Sequence, residues 1–200
     1  MDTHKFGFIL AQLVIKWRDK WLPEISKIVG KVDGDISKEY LVLLMWTATW
    51  KVAQLLGQYV DATLEVMHAV LYDVEGGPAK DKFQEFLNNR YEGYYSAIDD
   101  ESGEGGGMRL YHVANYFLAC CNSSGESVKY EELKIALLLE LDKAGFQLRD
   151  GVAEKIRHLY DTKNLPTYPM DIQATMSIIL DFDEFCKGVQ SLICDLVKAL

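Results

Sequence analysis

Apolar residues recur every three or four positions along most of the chain, the spacing that gathers them on one face of an α-helix. Phe6, Ile9, Leu10, Leu13, Trp17 and Trp21 predict a helix over 6–21, and Pro23 then suits the first turn of a new one. Over 38–56 one face carries Leu41, Leu44, Met45, Ala48, Val52, Leu55 and Leu56, while Trp46 and Trp50 stand one turn apart on another. Beyond Gly57 the pattern continues through Leu64, Met67 and Leu71, until Gly76-Gly77-Pro78 ends it. Phe83, Phe86, Leu87, Tyr91 and Tyr94 mark a helix over 80–98. Further helices are predicted near 109–121, 129–143 and 150–161. A proline-containing connection at 162–170 then leads to a last helix near 182–199. Alternation is confined to short pieces, Ser127–Tyr130 and Ser177–Leu180. The expected fold is all-α, with at most very short strands in loops.

The acidic, glycine-rich run Asp99-Asp100-Glu101-Ser102-Gly103-Glu104-Gly105-Gly106-Gly107 has nothing to bury. It divides the chain into an N-terminal helical half at 1–98, the loop at 99–107 and a C-terminal half at 108–200. Tyr40–Val60 is the most hydrophobic window, yet Lys51 stands near its centre, where a membrane would charge about 2.5–3.5 kcal/mol for it. A buried helix, not a span, is expected. Phe6–Ile15 lacks the small-residue cleavage site of a signal peptide. Cys120, Cys121, Cys186 and Cys194 form neither a spaced disulfide framework nor a CxxC metal pair, and read as free thiols of a reducing, cytoplasmic setting.

One unit recurs: a polar loop, an aliphatic residue, then an acidic-aromatic helix start. It appears as Asp33-Gly34-Asp35-Ile36-Ser37-Lys38-Glu39-Tyr40, as Asn122–Lys134 around Val128 and Glu132, and as Leu180-Asp181-Phe182-Asp183-Glu184-Phe185. First-turn carboxylates favour the helix dipole without any ligand. The spacing of Val128 to Glu132 and of Leu180 to Glu184 resembles the second half of an EF-hand. Residues 109–200 together resemble a pair of divergent EF-hands of the penta-EF-hand or calpain type, and 17–56 resembles a further degenerate hand. The resemblance implies paired helix–loop–helix units and calcium as the metal, with Glu184, Asp161 and Glu132 as its ligands.

A calcium loop needs oxygens at positions 1, 3, 5 and 12, with glycine at 6. Counted back from Val128, those first positions hold Cys121, Ser123 and Gly125; counted back from Ile36, they hold Val29, Lys31 and Asp33, with Tyr40 at the twelfth. The loop from Asp161 to Glu184 is about twice the usual twelve residues. Calcium binding is therefore expected to be largely lost, leaving no cofactor, and a calcium-regulated protein with one working site is the alternative.

Charge narrows the partners. With 21 basic and 30 acidic residues the net charge is −9, which argues against nucleic acid. Glu65 and His68 have the spacing of a carboxylate-bridged di-iron bundle, but such a site needs that motif twice; an unrelated bundle with a metal or enzyme site there is the third reading. Arg90-Tyr91 and Tyr94-Tyr95 would face a partner or fill the core. An apolar groove between paired helices suits an amphipathic helical partner. Trp17, Trp21, Trp46 and Trp50 would line that groove or a homodimer interface, core filling being the competing assignment. The expected function is a non-catalytic protein-interaction module.

Overall fold

The computed structural model describes residues 2–30, 34–76, 79–99, 106–123, 128–143, 154, 156–159 and 171–198. Its helices are α1 (Thr3–Val29), α2 (Gly34–Leu55), α3 (Val60–Glu75), α4 (Lys80–Ile98), α5 (Gly106–Asn122), α6 (Tyr130–Lys143) and α7 (Ile172–Lys198), with a 3-10 turn at Gly57–Tyr59 before α3. The fold is all-α, and no strand occurs among the described residues. No helix among them is long and apolar enough to cross a membrane. The chain forms two compact units, one of Met1–Glu92 with Ser177–Leu200 and the other of Gly93–Met176. Residues 100–105 of the acidic glycine-rich run lie outside the described residues.

In the first unit α2 is central. Every residue from Glu39 to Thr49 is buried, which explains why its sequence is apolar on all sides. The first helix runs past the expected break. α1 continues through Pro23 to Val29. Pro23 removes the N–H that would reach the Asp19 carbonyl, but both residues are exposed, so that turn faces solvent and tolerates the lost bond. Asp2 caps the start, its carboxylate accepting from Lys5 N at 2.9 Å. Gly30 ends α1 in the left-handed conformation, φ 75°, and donates to the Ser26 and Lys27 carbonyls. Arg18 on α1 pairs with Glu75 in the last turn of α3 and with Asp19.

The last helix also differs from expectation. α7 begins at Ile172, ten residues before the expected start at 182. Asp171 provides the cap: its Oδ1 accepts from Ala174 N at 2.9 Å. The acidic run at 181–184, read as a helix start because carboxylates favour a first turn, lies in the helix interior. Residues 172–184, expected within the loop that closes on Glu184, are helical, and the start of that loop lies outside the described residues.

The second unit is built on tyrosines. Tyr94 and Tyr116 meet edge to face at 5.0 Å, and Tyr116 donates to the Val128 carbonyl at 3.3 Å. Tyr130 OH lies 2.9 Å from Nδ1 of the buried His112. These bonds hold α5 beside α6 around Val128. Gly93 permits the packing, because a Cβ there would stand 2.0 Å from the Tyr116 ring.

In the first unit α1 and α3 approach closely at Gly7. A Cβ there would fall 2.5 Å from the Thr63 carbonyl oxygen and 2.7 Å from Val66 Cβ. Backbone cannot move aside cheaply, so α1 and α3 must separate. Gly7→Ala is expected to lower unfolding free energy by about 1–3 kcal/mol, read by urea denaturation. An unchanged midpoint would show that the two helices are not in this contact.

Candidate functional site

Three of the four tryptophans, Trp17, Trp46 and Trp50, meet α7, and Trp21 lies beside Trp17. On α1, Trp17 and Trp21 lie 6.2 Å apart between ring centroids, and Trp17 meets Phe185 at 5.4 Å. On α2, Trp46 and Trp50 stack 5.9 Å apart with planes 7° from parallel. Both reach Phe182, at 6.1 and 6.2 Å. Trp46 is fully buried and the other three partly so. The amphipathic helix that these aromatic rings hold is the chain's own α7.

A carboxylate fixes how α7 sits. Asp181 Oδ1 accepts from Trp17 Nε1 at 3.2 Å, and Oδ2 accepts from the Tyr40 hydroxyl at 2.8 Å. One side chain of α7 is thus bonded to α1 and α2 together. Burial pushes the Asp181 carboxyl above its ordinary range; the Tyr40 and Trp17 bonds oppose that shift and Glu184 adds to it. Burial, then the Asp181 charge, raises the Tyr40 phenol strongly. One turn on, burial pushes the Cys186 thiol up to about 12, which suits packing and not nucleophilic chemistry. All four cysteines are free; Cys194 is exposed and the others are buried.

A second polar cluster lies among α2, α3 and α4. Thr49 directs its hydroxyl proton at the Met45 carbonyl, 2.9 Å away. Its oxygen lies 3.2 Å from His68 Nε2 and 3.3 Å from the Tyr91 hydroxyl, which is itself 3.1 Å from Nε2. Tyr72 stacks on the imidazole at 5.9 Å. Burial lowers the His68 pKa to about 4, so the ring is neutral near pH 7. Hydroxyl, imidazole and phenol satisfy one another, and Thr49 is buried, so the arrangement offers no accessible nucleophile.

The third is an ion pair. Arg90 Nε lies 3.0 Å from both Glu39 carboxylate oxygens, and Nη2 is 2.6 Å from Oε1. Both side chains are 3% exposed. Arg90, read from the sequence as a residue facing a partner or the core, is inside, with its guanidinium 4.9 Å from the centre of the Phe86 ring.

Of the expected metal ligands, Glu132 and Glu184 are among the described residues. Glu132 pairs with Lys129 at 3.7 Å in the first turn of α6, and Glu184 is exposed in mid-α7. Asp161 lies outside the described residues. Glu65 is exposed, whereas His68 Nε2 faces Thr49 and Tyr91. Among the described residues no three His, Cys, Asp or Glu side chains gather where they could hold a metal ion.

The opposite face of α7 is what sequence reading passed over. Ile172, Met176 and Leu180, one turn apart, are 67%, 50% and 63% exposed. Their four-residue spacing is visible in the sequence, but all three positions fall between the connection expected at 162–170 and the helix expected from 182, with Leu180 in the short alternating piece Ser177–Leu180.

Two measurements test the site. Asp181→Leu leaves the Trp17 indole N–H and the Tyr40 hydroxyl without their acceptor and is expected to cost about 1–3 kcal/mol in urea unfolding; no cost would mean the carboxylate does not hold α7. For His68, both folded and unfolded chains keep the ring neutral above pH 6.5. As pH falls from 6.5 to about 4 the unfolded chain binds a proton that the folded one excludes, so stability is lost through that window. The loss reaches roughly 3 kcal/mol when both states are protonated. Asp181 has the opposite sign: its raised carboxyl pKa gives stability at low pH that is lost as pH rises through the folded value. The Tm difference between the parent and His68→Gln isolates the histidine, and should shrink steadily from pH 6.5 to 4. A constant difference would place the imidazole in water.

No protein-family model, curated protein or solved structure matches this chain.

Proposed function

We propose that the chain is a non-catalytic protein-interaction module, an all-α scaffold that presents the outer face of α7 to a helical partner. The observation that carries this reading is the exposed row Ile172, Met176 and Leu180. Single apolar residues are ordinary on surfaces, but a row in register along a helix is the form in which partner helices are received. The inner face of the same helix is held by Phe182, Phe185 and Asp181, which keeps the outer row in place. The tryptophans serve the partner indirectly, by seating α7.

The divergent EF-hand-like reading fits this proposal as a scaffold without calcium, since Glu132 faces Lys129 and Glu184 follows no loop. Saturating calcium is therefore expected to leave far-UV circular dichroism and Tm unchanged. A Tm that climbs with calcium concentration would favour the calcium-regulated alternative instead.

The surface itself is tested by titrating isotope-labelled protein with designed amphipathic helices that share one leucine face and differ in having lysine, glutamate or glutamine on the polar face. At least one should shift amide resonances across 172–187 saturably. Failure of all three to do so would remove the interaction reading.

A further inference from the structure

We infer that the partner received by α7 is a cationic amphipathic helix. This rests on the proposed role of the outer face and adds the chemistry of its occupant. Ile172, Met176 and Leu180 form one i, i+4, i+8 row, about 12 Å long at 1.5 Å per residue. Such a row is a ridge that fits the groove of a second helix. At 67%, 50% and 63% exposure these residues leave half or more of their surface in water.

Acidic side chains bound the row at both ends. Asp171, exposed, stands at the helix start, its carboxylate accepting from Ala174 N. Asp183 and Glu184 stand on the next turn beyond Leu180. Asp183 is answered by Lys187 at 2.5 Å, so the turn keeps an excess of negative charge at Glu184. The chain as a whole carries −9, which draws a positive partner and repels a negative one over longer distances.

Those charges decide among occupants. A second copy pairing antiparallel across Met176 would set Leu180 against Ile172, and the Asp183–Glu184 turn towards the Asp171 end of its mate. Like charges would meet at both ends. Three side chains also fall well short of the 20–30 residues a side, roughly 800 Å² per partner, that a stable protein interface buries. A single helix with a few apolar anchors and flanking lysine or arginine matches both the size and the charge.

The probes are the lysine-faced and glutamate-faced peptides with the same leucine row, their affinities measured by fluorescence anisotropy on the full chain. The lysine peptide is expected to bind at least about tenfold more tightly at about 50 mM salt, with the gap closing at about 300 mM. Glu184→Gln should cut that preference by about threefold or more while leaving Tm unchanged. Met176→Ser with Leu180→Ser should abolish binding of the lysine peptide; both residues are exposed, so the fold survives and circular dichroism verifies it. Equal affinity for the two peptides would overturn the cationic partner while leaving the surface standing. Binding by neither would overturn the surface as well. Sedimentation as a dimer that Leu180→Ser converts to monomer would replace the cationic helix with a second copy.

Discussion

A carboxylate taken out of water must find donors, and in the first unit this requirement organises the packing. Asp181 is bonded at one oxygen by Trp17 and at the other by Tyr40. Because the donors come from α1 and α2, the bonds set the rotation and the axial position of α7 at once. A one-residue slip would turn the side chain by about 100° around the helix and leave a partly buried charge unanswered. The aromatic contacts follow from that register. Phe182 reaches Trp46 and Trp50, and Phe185, three positions on, reaches Trp17. Apolar burial supplies most of the free energy, and the carboxylate supplies the uniqueness that rings sliding over rings would lack.

The buried Glu39–Arg90 pair does the same for α2 and α4. Replacing such a pair by apolar residues often costs little, whereas removing one partner strands the other charge. Its contribution is to choose one arrangement among several apolar ones. The guanidinium also lies against Phe86 and Lys38 covers the same ring, with Nζ 3.8 Å from its centre. Two cations near one aromatic ring hold together because the Glu39 carboxylate answers one of them inside and water solvates the other outside.

The helical class was legible because a 3.6-residue period survives wherever a helix has one dry side. It was legible even for α2, where burial on every side flattens the period but leaves an apolar run too long for a strand and interrupted by Lys51. Boundaries were harder where one residue type serves two purposes. Pro23 commonly opens a helix, yet on an exposed turn it is tolerated within one. Carboxylates commonly open a helix too, and the 181–184 run was read that way. In the folded chain Asp181 is an interior hydrogen-bond acceptor, and the cap is Asp171, ten residues earlier. The EF-hand-like spacing of Leu180 and Glu184 arises in mid-helix from the same pattern. The partner of a buried charge was not legible at all. Nothing in sequence joins Glu39 to Arg90 or Asp181 to Trp17, because those bonds span 51 and 164 positions and depend on packing already formed.

The two faces of α7 explain why the proposed partner site lies on its outer row and not at the tryptophans. The i,i+4 tryptophan pairs suit a groove for an amphipathic helix and core filling alike, and in the folded chain Trp17, Trp46 and Trp50 pack on α7 of the same chain. Once α7 is seated, its outer row no longer has the freedom of an isolated helix. A short helix in water is marginal, and a partner binding to it would have to order it first. Here the ordering is done by Trp17, Tyr40 and the Trp46–Trp50 stack, so Ile172, Met176 and Leu180 are held in line before any partner arrives. Pre-organisation lowers the entropy lost on association. In the proposed role, that pre-organisation lets a row of only three apolar side chains serve as a recognition element, with the flanking carboxylates favouring cationic helices.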